Sequence, residues 1–253
     1  MASEGTPYVP KLNKIQAGQQ TKLTSIKHIK LYLSRLGFEP ITFNEIKSDR
    51  IVYMRKIITT TMITLDGVMQ APGASKEDTA EGFKYGGWMS GWDEEADNIT
   101  DKIQAEPFDL LFGRRTYDIF ASFWPKHKDE PHWGKPYDRA RKYVVSHKPI
   151  KLTWDNSELI TGDVVAEIKR LKETEGRDLW VWGSSNLIQT LLKHNLVDRM
   201  YVWIFPITIG IGKRLFAEGT QPEHFKMIDG KILSTGLIFA TYEPSEPLKT
   251  ESL

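Results

Sequence analysis

The 253-residue sequence predicts an α/β protein, with a mostly parallel central sheet and an antiparallel hairpin at its C-terminal edge. Three observations carry this prediction. Short β-branched or apolar runs alternate with amphipathic segments from residue 55 to about residue 208, the pattern of a parallel sheet with helical crossovers. Two of the runs end in glycine directly before a helical segment, in LLFGRRTYD (110–118) and WVWGSSNLIQ (180–189). The last runs, in HFKMIDGKILSTGLIFATYEP (224–244), follow one another across turn residues with no helix between them.

The elements follow in order. RKIITTTMI (55–63) is rich in β-branched residues and reads as a strand. Residues 64–91, from TLDGVMQAPG to YGGWMSG, form a long Gly-, Asp- and Ser-rich loop, a length usually functional or disordered in a compact domain. WDEEADNITDKIQ (92–104) is helical, with acids in its first turn where the helix dipole favours them. DLLF is a strand, RRTYDIFASFW a helix, KYVVSH (142–147) a strand and ELITG a further short one. DVVAEIKRLKETEG (163–176) predicts an amphipathic helix closed by Gly176. DLWVWG is a strand, SSNLIQTLLKHN a helix and VDRMYVWIFPIT (197–208) a strand with Pro206 near its end. Asp229-Gly230 and Ser234-Thr235-Gly236 are the candidate corners of one or two closing hairpins.

Upstream, residues 1–21 are polar and aperiodic, and disorder is expected there. KLTSIKHIKLYLSRL (22–36) spaces its apolar residues as a short amphipathic helix does. The text reads as a fresh domain start at Met54. The expected organisation is an N-terminal extension (1–53), a domain (54–245) and a tail (246–253).

Bulk properties narrow the function. Hydrophobic content of 40% and charged content of 26% suit a globular chain, and a net charge of +1 gives no basis for general nucleic-acid or acidic-membrane binding. With no cysteine, disulfides, thiolate metal ligands and a cysteine nucleophile are excluded. No apolar run approaches a membrane span and no signal-peptide core opens the chain, so a cytoplasmic location is expected, with no metal.

Three strand ends carry the candidate chemistry: Gly113-Arg114-Arg115-Thr116, Ser146-His147-Lys148 and Gly183-Ser184-Ser185-Asn186. In an open parallel sheet, ligands lie outside the carboxyl ends of the strands. The first N–H groups of a helix have no internal partner and favour a negative charge. Arg114, Arg115, His147 and Lys148 suit a terminal, doubly charged phosphate such as the 2′-phosphate of NADP. Taken singly, each turn has a plainer explanation: glycine for close packing and serine for capping. Together they point to a dinucleotide.

From Met54 to about Pro244 the chain resembles the dihydrofolate-reductase-like fold, and within it the reductase domain family of the bifunctional riboflavin-biosynthesis deaminase-reductase (the RibD C-terminal type). The stretches that carry the resemblance are TLDGVMQAPG, YGGW, LLFGRRTYDIF, YVVSHKP, VWGSSNLIQTLLKHNLVDRMYVWIFPITIGIGKRLF and the final hairpin, about three quarters of the chain in the family's order. The resemblance implies a three-layer α/β/α domain and an NADPH-dependent reductase, by analogy a homodimer. Arg114, Arg115 and Thr116 would hold the adenosine side of the cofactor. Ser146 and His147 would flank the adenine and its 2′-phosphate. Gly183, Ser184, Ser185, Asn186 and Leu187 would cradle the diphosphate, and Thr61 and Met62 would face the nicotinamide through their backbone.

On the substrate side, Asp66 in LDG is a candidate polar contact or a turn aspartate before Gly67. Asp97 falls near the place where dihydrofolate reductases keep a carboxylate on the helix before the GR turn; a solvated acidic first turn with Asp93, Glu94 and Glu95 is the alternative. A carboxylate in an apolar cleft titrates at higher pH and can relay a proton near neutrality. Trp88, Trp92, Trp124 and Trp133 offer faces for a heterocycle, or for packing. The absence of cysteine rules out the family's zinc deaminase partner, and the long loop is closer to the family's stand-alone branch. The expected chemistry is hydride transfer to a pterin-like or ribosylaminopyrimidine-like small molecule; the other reading is a non-catalytic NADP-binding module, a sensor or scaffold.

Overall fold

The computed structural model describes residues 54–246. The disorder expected over residues 1–21, the helix expected over 22–36 and most of the expected tail lie outside the described residues. Among the described residues eight strands are seen: β1 (Ile57–Thr64), β2 (Asp109–Gly113), β3 (Lys142–Val145), β4 (Ser157–Ile160), β5 (Leu179–Trp182), β6 (Arg199–Phe205), β7 (Phe225–Ile232) and β8 (Ile238–Pro244). Five α-helices connect them: α1 (Glu94–Ile103), α2 (Arg114–Phe123), α3 (Gly134–Arg139), α4 (Val164–Lys172) and α5 (Ser185–Lys193). The strands form one sheet in the order β4-β3-β2-β5-β1-β6-β8-β7. The six strands from β4 to β6 are parallel, and β8 and β7 close the edge antiparallel.

The strand sequences explain why the sheet lies in the middle. β3 and β5 are buried along their whole length, as parallel strands covered on both faces must be. Their residues alternate between two cores of different chemistry. Leu111, Tyr143, Val145, Leu179, Val181, Met200 and Val202 face α4 and α5 across a mainly aliphatic core. Phe112, Val144, Trp180, Trp182, Tyr201, Trp203 and Phe205 face α1, α2 and α3 across a mainly aromatic one. The result is the three-layer α/β/α arrangement that the sequence predicts.

Details differ from expectation in three places. The helix expected to close at Gly176 ends at Lys172, capped by the Glu173 N–H on Lys169 O and Arg170 O. Gly176 instead lies against the buried Arg55 guanidinium, where a Cβ would sit 2.9 Å from Cζ. Asp229-Gly230 is no corner: β7 runs through it opposite Thr241 and Ala240, with a bulge after Met227, as edge strands tolerate. The chain turns at Ser234-Thr235-Gly236, pinned by Leu233 N–H to Leu237 O at 2.8 Å. The short helix α3 has no periodic signal, since six residues are too few to display one.

The long loop after β1 is folded onto the domain. The Gln70 amide donates to Asp78 O and Ala80 O at 3.1 Å and accepts the Lys213 N–H at 3.0 Å. Trp88 donates from Nε1 to Gln70 O at 2.8 Å and meets Phe205 edge-on. At the loop's start the Asp66 carboxylate accepts from Thr64 Oγ1 at 2.6 Å, Ile209 N–H at 3.2 Å and Gly210 N–H at 2.7 Å. The Thr64 hydroxyl, and after it the Gly210 and Ile209 N–H groups, hold this carboxyl down to about 2 against the opposing effect of burial. Its folded pKa is depressed, so its stabilisation is fully present above the ordinary value of 3.8 and is lost as pH falls through about 2. Asp66→Ala should lower stability by about 2–3 kcal/mol at neutral pH in a urea melt, by removing an acceptor that serves three donors. A melt that is unchanged would show that the clamp contributes nothing.

Candidate functional site

β3, β2, β5 and β1 are adjacent and parallel, so their carboxyl ends share one edge of the sheet. That edge brings together Ser146-His147, Gly113 to Thr116, Gly183 to Leu187, and Thr61-Met62. β1 and β5 pair as far as Thr60 opposite Trp182, which puts Thr61 level with Gly183. The two glycine turns touch directly. The Gly113 N–H donates to Ser184 Oγ at 3.0 Å, and the Ser184 N–H donates to Thr116 Oγ1 at 3.0 Å.

This cross-bridge decides how the two helices begin. α1 and α4 are capped by the carboxylates of Asp93 and Asp163, which accept from Ala96 N–H and Ala166 N–H. α2 and α5 receive no side-chain cap: Gly113 has none to give, and the Ser184 hydroxyl is committed to Gly113. In α5 the first helical bond runs from Ile188 N–H to Ser184 O at 3.0 Å. The N–H groups of Ser185, Asn186 and Leu187 therefore have no acceptor among the described residues. Gly183 (φ 50) and Ser184 (φ 54, ψ 46) both occupy the left-handed region, which costs a serine about 1 kcal/mol. Gly113 has an ordinary extended backbone, and a Cβ there would meet Ser184 and Leu187 at 3.6–3.7 Å, a normal contact. Neither its backbone nor its packing demands glycine.

Cations surround these helix ends. Arg114 Nε lies 2.6 Å from Asp118, and both side chains are about half exposed, so the pair is weakly held. Arg115 Nη1 lies 2.5 Å from Asp78 in the long loop, and Lys213 Nζ lies 2.5 Å from the other oxygen of the same carboxylate. Burial pushes the Asp78 carboxyl up, but hydrogen bonds from Lys213, the Ala80 N–H and Arg115 outweigh it and leave the group below its usual range. Residues 76–80 and Arg115 border an open cavity of about 360 Å³. Ser146 is buried, and its hydroxyl closes the turn after β3 by donating to Lys148 O at 2.7 Å. His147 and Lys148 are exposed, with no ion pair among the described residues.

The aromatic face lies beside this edge. Met62 is level with Trp203 on β6 and packs against the aromatic core. The hydroxyls of Thr59, Thr60 and Thr61 are all buried without a hydrogen-bond partner among the described residues. Asp97, on α1, accepts from Trp92 Nε1 at 2.8 Å. Trp92 in turn packs on Trp203 and Trp133, with ring centroids 4.6 and 5.4 Å away, and Trp133 meets Trp182 at 5.2 Å. Asp97 thus stands at the rim of a tryptophan cluster whose buried Trp182 and Trp203 Nε1 atoms have no partner among the described residues. The Asp101 hydrogen bond at 2.8 Å, helped by the charge of Asp97, keeps the His132 imidazole protonated to higher pH than usual. Trp88 and Trp124 are placed differently, the first closing the long loop and the second packing on Phe120, Phe123 and Tyr137. Asp66 is engaged in the clamp described above. Asp78, Gln70 and Trp203 were not singled out from sequence. The one signal was GKR at 212–214, whose Lys213 leads to Asp78.

Fold and site together define a three-layer α/β domain with two uncapped helix starts sharing one sheet edge. The sequence profile described as the RibD C-terminal domain matches residues 55–239, and the chain belongs to that family, a reductase-like one. Two curated relatives come from Bacillus subtilis, both described as uncharacterized proteins. YyaP is 28% identical over 74% of this chain and 94% of its own length; YwjB is 23% identical over 68% and 89%. Among solved structures, a putative riboflavin biosynthesis protein from Shewanella sp. PV-4 matches with a TM-score of 0.55 at 24% identity, covering 76% of this chain and 99% of that one, which supports the fold. A dihydrofolate reductase from Enterococcus faecalis, in complex with NADP(H) and RAB-propyl, aligns over 76% of this chain and 97% of its own with a TM-score of 0.49 at 14% identity.

Proposed function

We propose that the protein is an NADPH-dependent reductase that transfers a hydride to a pterin-like or ribosylaminopyrimidine-like heterocycle. One observation carries this reading: two helix starts without side-chain caps, tied to each other through Gly113, Ser184 and Thr116, point their N–H groups to the same strand edge. A diphosphate is the kind of group that satisfies both at once. The unpartnered N–H groups of Ser185 to Leu187 and the bare Gly113 fit a dinucleotide laid across β2, β5 and β1.

When bound, NADPH supplies the hydride. Arg114 and His147, exposed at neighbouring strand ends, supply positive charge for its 2′-phosphate. Thr61 and Met62 position the ring beside the aromatic face. Trp92 and Trp133 offer flat surfaces against which a heterocycle stacks. Asp97, held by Trp92 Nε1, accepts a hydrogen bond from the substrate and serves as the proton relay. A cytoplasmic homodimer belongs to the same proposal; edge strand β7 exposes Met227 and Ile232 as a face for a second copy.

Fluorescence on mixing with NADPH tests binding, and loss of nicotinamide absorbance across a panel of dihydrofolates and aminouracils tests turnover. Saturable binding with consumption of one panel member is expected. Binding with no consumption across a broad panel favours the non-catalytic module, and no binding to folded protein ends the proposal.

The Asp78 bridge adds a prediction. Asp78 occupies Arg115 and so competes with any phosphate for it. Asp78→Asn should tighten NADPH by about two- to five-fold, the worth of a partly exposed ion pair, in a fluorescence titration. Weaker binding would mean that the bridge builds the site rather than competing with it.

A further inference from the structure

The opposite edge of the sheet carries a second concentration of charge. Five adjacent parallel strands begin there, and the residues at or just before their starts border a cavity of about 360 Å³. Its lining holds four arginines, Arg55, Arg139, Arg141 and Arg177, against two carboxylates, Asp109 and Glu175, with Tyr143 beside them. Arg55 is the floor. It is 2% exposed, and its guanidinium is fixed by Arg177 O at 2.5 Å, Asp109 at 2.5 Å and the Tyr143 hydroxyl at 3.3 Å.

Charge in this cavity is unbalanced. Asp109 is spent on Arg55 and on the Arg141 N–H. Arg139 and Arg177 are exposed, and their guanidiniums have no ion pair among the described residues. Among the described residues the Arg141 guanidinium hydrogen-bonds to the Tyr143 hydroxyl, at 3.5 Å, and has no ion pair, though the charges of Glu158 and Asp109 act on it. That hydroxyl, on a residue 4% exposed, accepts from two guanidiniums, so its own proton is left without an acceptor among the described residues. A buried O–H with a proton to give, walled by guanidiniums in excess of carboxylates, calls for an anion with several oxygens.

We propose that this cavity binds a small multivalent oxyanion, a phosphate-bearing or polycarboxylate molecule. The Tyr143 hydroxyl donates to it from the floor, and Arg139, Arg141 and Arg177 grip it from the rim. The site lies at the opposite strand ends from Gly113 and Gly183 and is independent of the proposed cofactor.

Calorimetric titration of the full chain at fixed ionic strength, with NADP⁺ present in excess to occupy the starts of α2 and α5 and with pyrophosphate and citrate in separate arms, tests this. Saturable binding of one equivalent in either arm is expected, and the tighter arm names the source. Arg139→Ala with Arg177→Ala should weaken that binding at least ten-fold, and Tyr143→Phe, which keeps the ring, should weaken it measurably. Lys226→Ala, an exposed cation on β7 away from both sites, should leave it unchanged. Failure of both anions to saturate the folded protein overturns the proposal. So does binding indifferent to the double variant, or binding weakened as much by Lys226→Ala.

Discussion

Replacing Arg114 and Arg115 together by alanine is expected to weaken NADPH far more than NADH. The two cofactors differ only in the 2′-phosphate, so the ratio of the two losses isolates that group. Charge-assisted hydrogen bonds to phosphate contribute about 1.5–3 kcal/mol each, and ~1.4 kcal/mol is a factor of ten in affinity. The net effect is smaller than the sum, because each arginine gives up a partner in the protein to reach a ligand. For Arg114 that partner is the half-exposed Asp118, an inexpensive exchange. For Arg115 it is Asp78, largely buried and shared with Lys213, a costlier one. A loss on the order of 10²-fold for NADPH is therefore expected, with most of it reproduced by Arg114→Ala alone. Equal losses for both cofactors would remove the 2′-phosphate assignment.

Asp97→Asn carries the second large effect, on turnover. The substitution keeps shape and an acceptor oxygen, so Trp92 Nε1 retains its bond at that position and the stack of Trp92 on Trp203 and Trp133 stays in place. What disappears is a group that can carry a proton. General acid–base contributions run to about 10²–10⁴ in rate. kcat on the substrate found in the panel should fall within that range, while the NADPH Kd stays unchanged. Unaltered kcat would return Asp97 to the acidic first turn of α1 and leave the proton source elsewhere.

The sheet was legible in the sequence because its strands are short apolar runs between glycines and amphipathic helices. LLFG and WVWG each carry a buried strand and its stop within a few residues. The closing hairpin was legible only in part. Asp229-Gly230 is a strong local turn signal, yet the ladder with β8 runs through it, a tertiary pairing that outweighs local preference. Gly176 misled in a similar way: its neighbour in space is Arg55, more than a hundred residues away in the chain, and nothing local announces that contact. At the candidate site the sequence could place the glycine turns on one edge but could not pair them. The bonds that join Gly113, Ser184 and Thr116 span about seventy residues. Asp78 was hidden for the same reason, being one acid in a polar loop until Arg115 and Lys213 converge on it. The arginine cavity was hidden more deeply, since its members are scattered from residue 55 to residue 177 and meet only because five strands start together.

The central claim is that the phosphates of a nicotinamide dinucleotide rest on the starts of α2 and α5. Backbone amide shifts of isotope-labelled protein titrated with NADP⁺ test it most directly. The account predicts that the largest saturable shifts fall on Arg114 to Thr116 and Ser185 to Leu187, moving together with one Kd. Shifts confined to other strand ends, or none at all on folded protein, would contradict it.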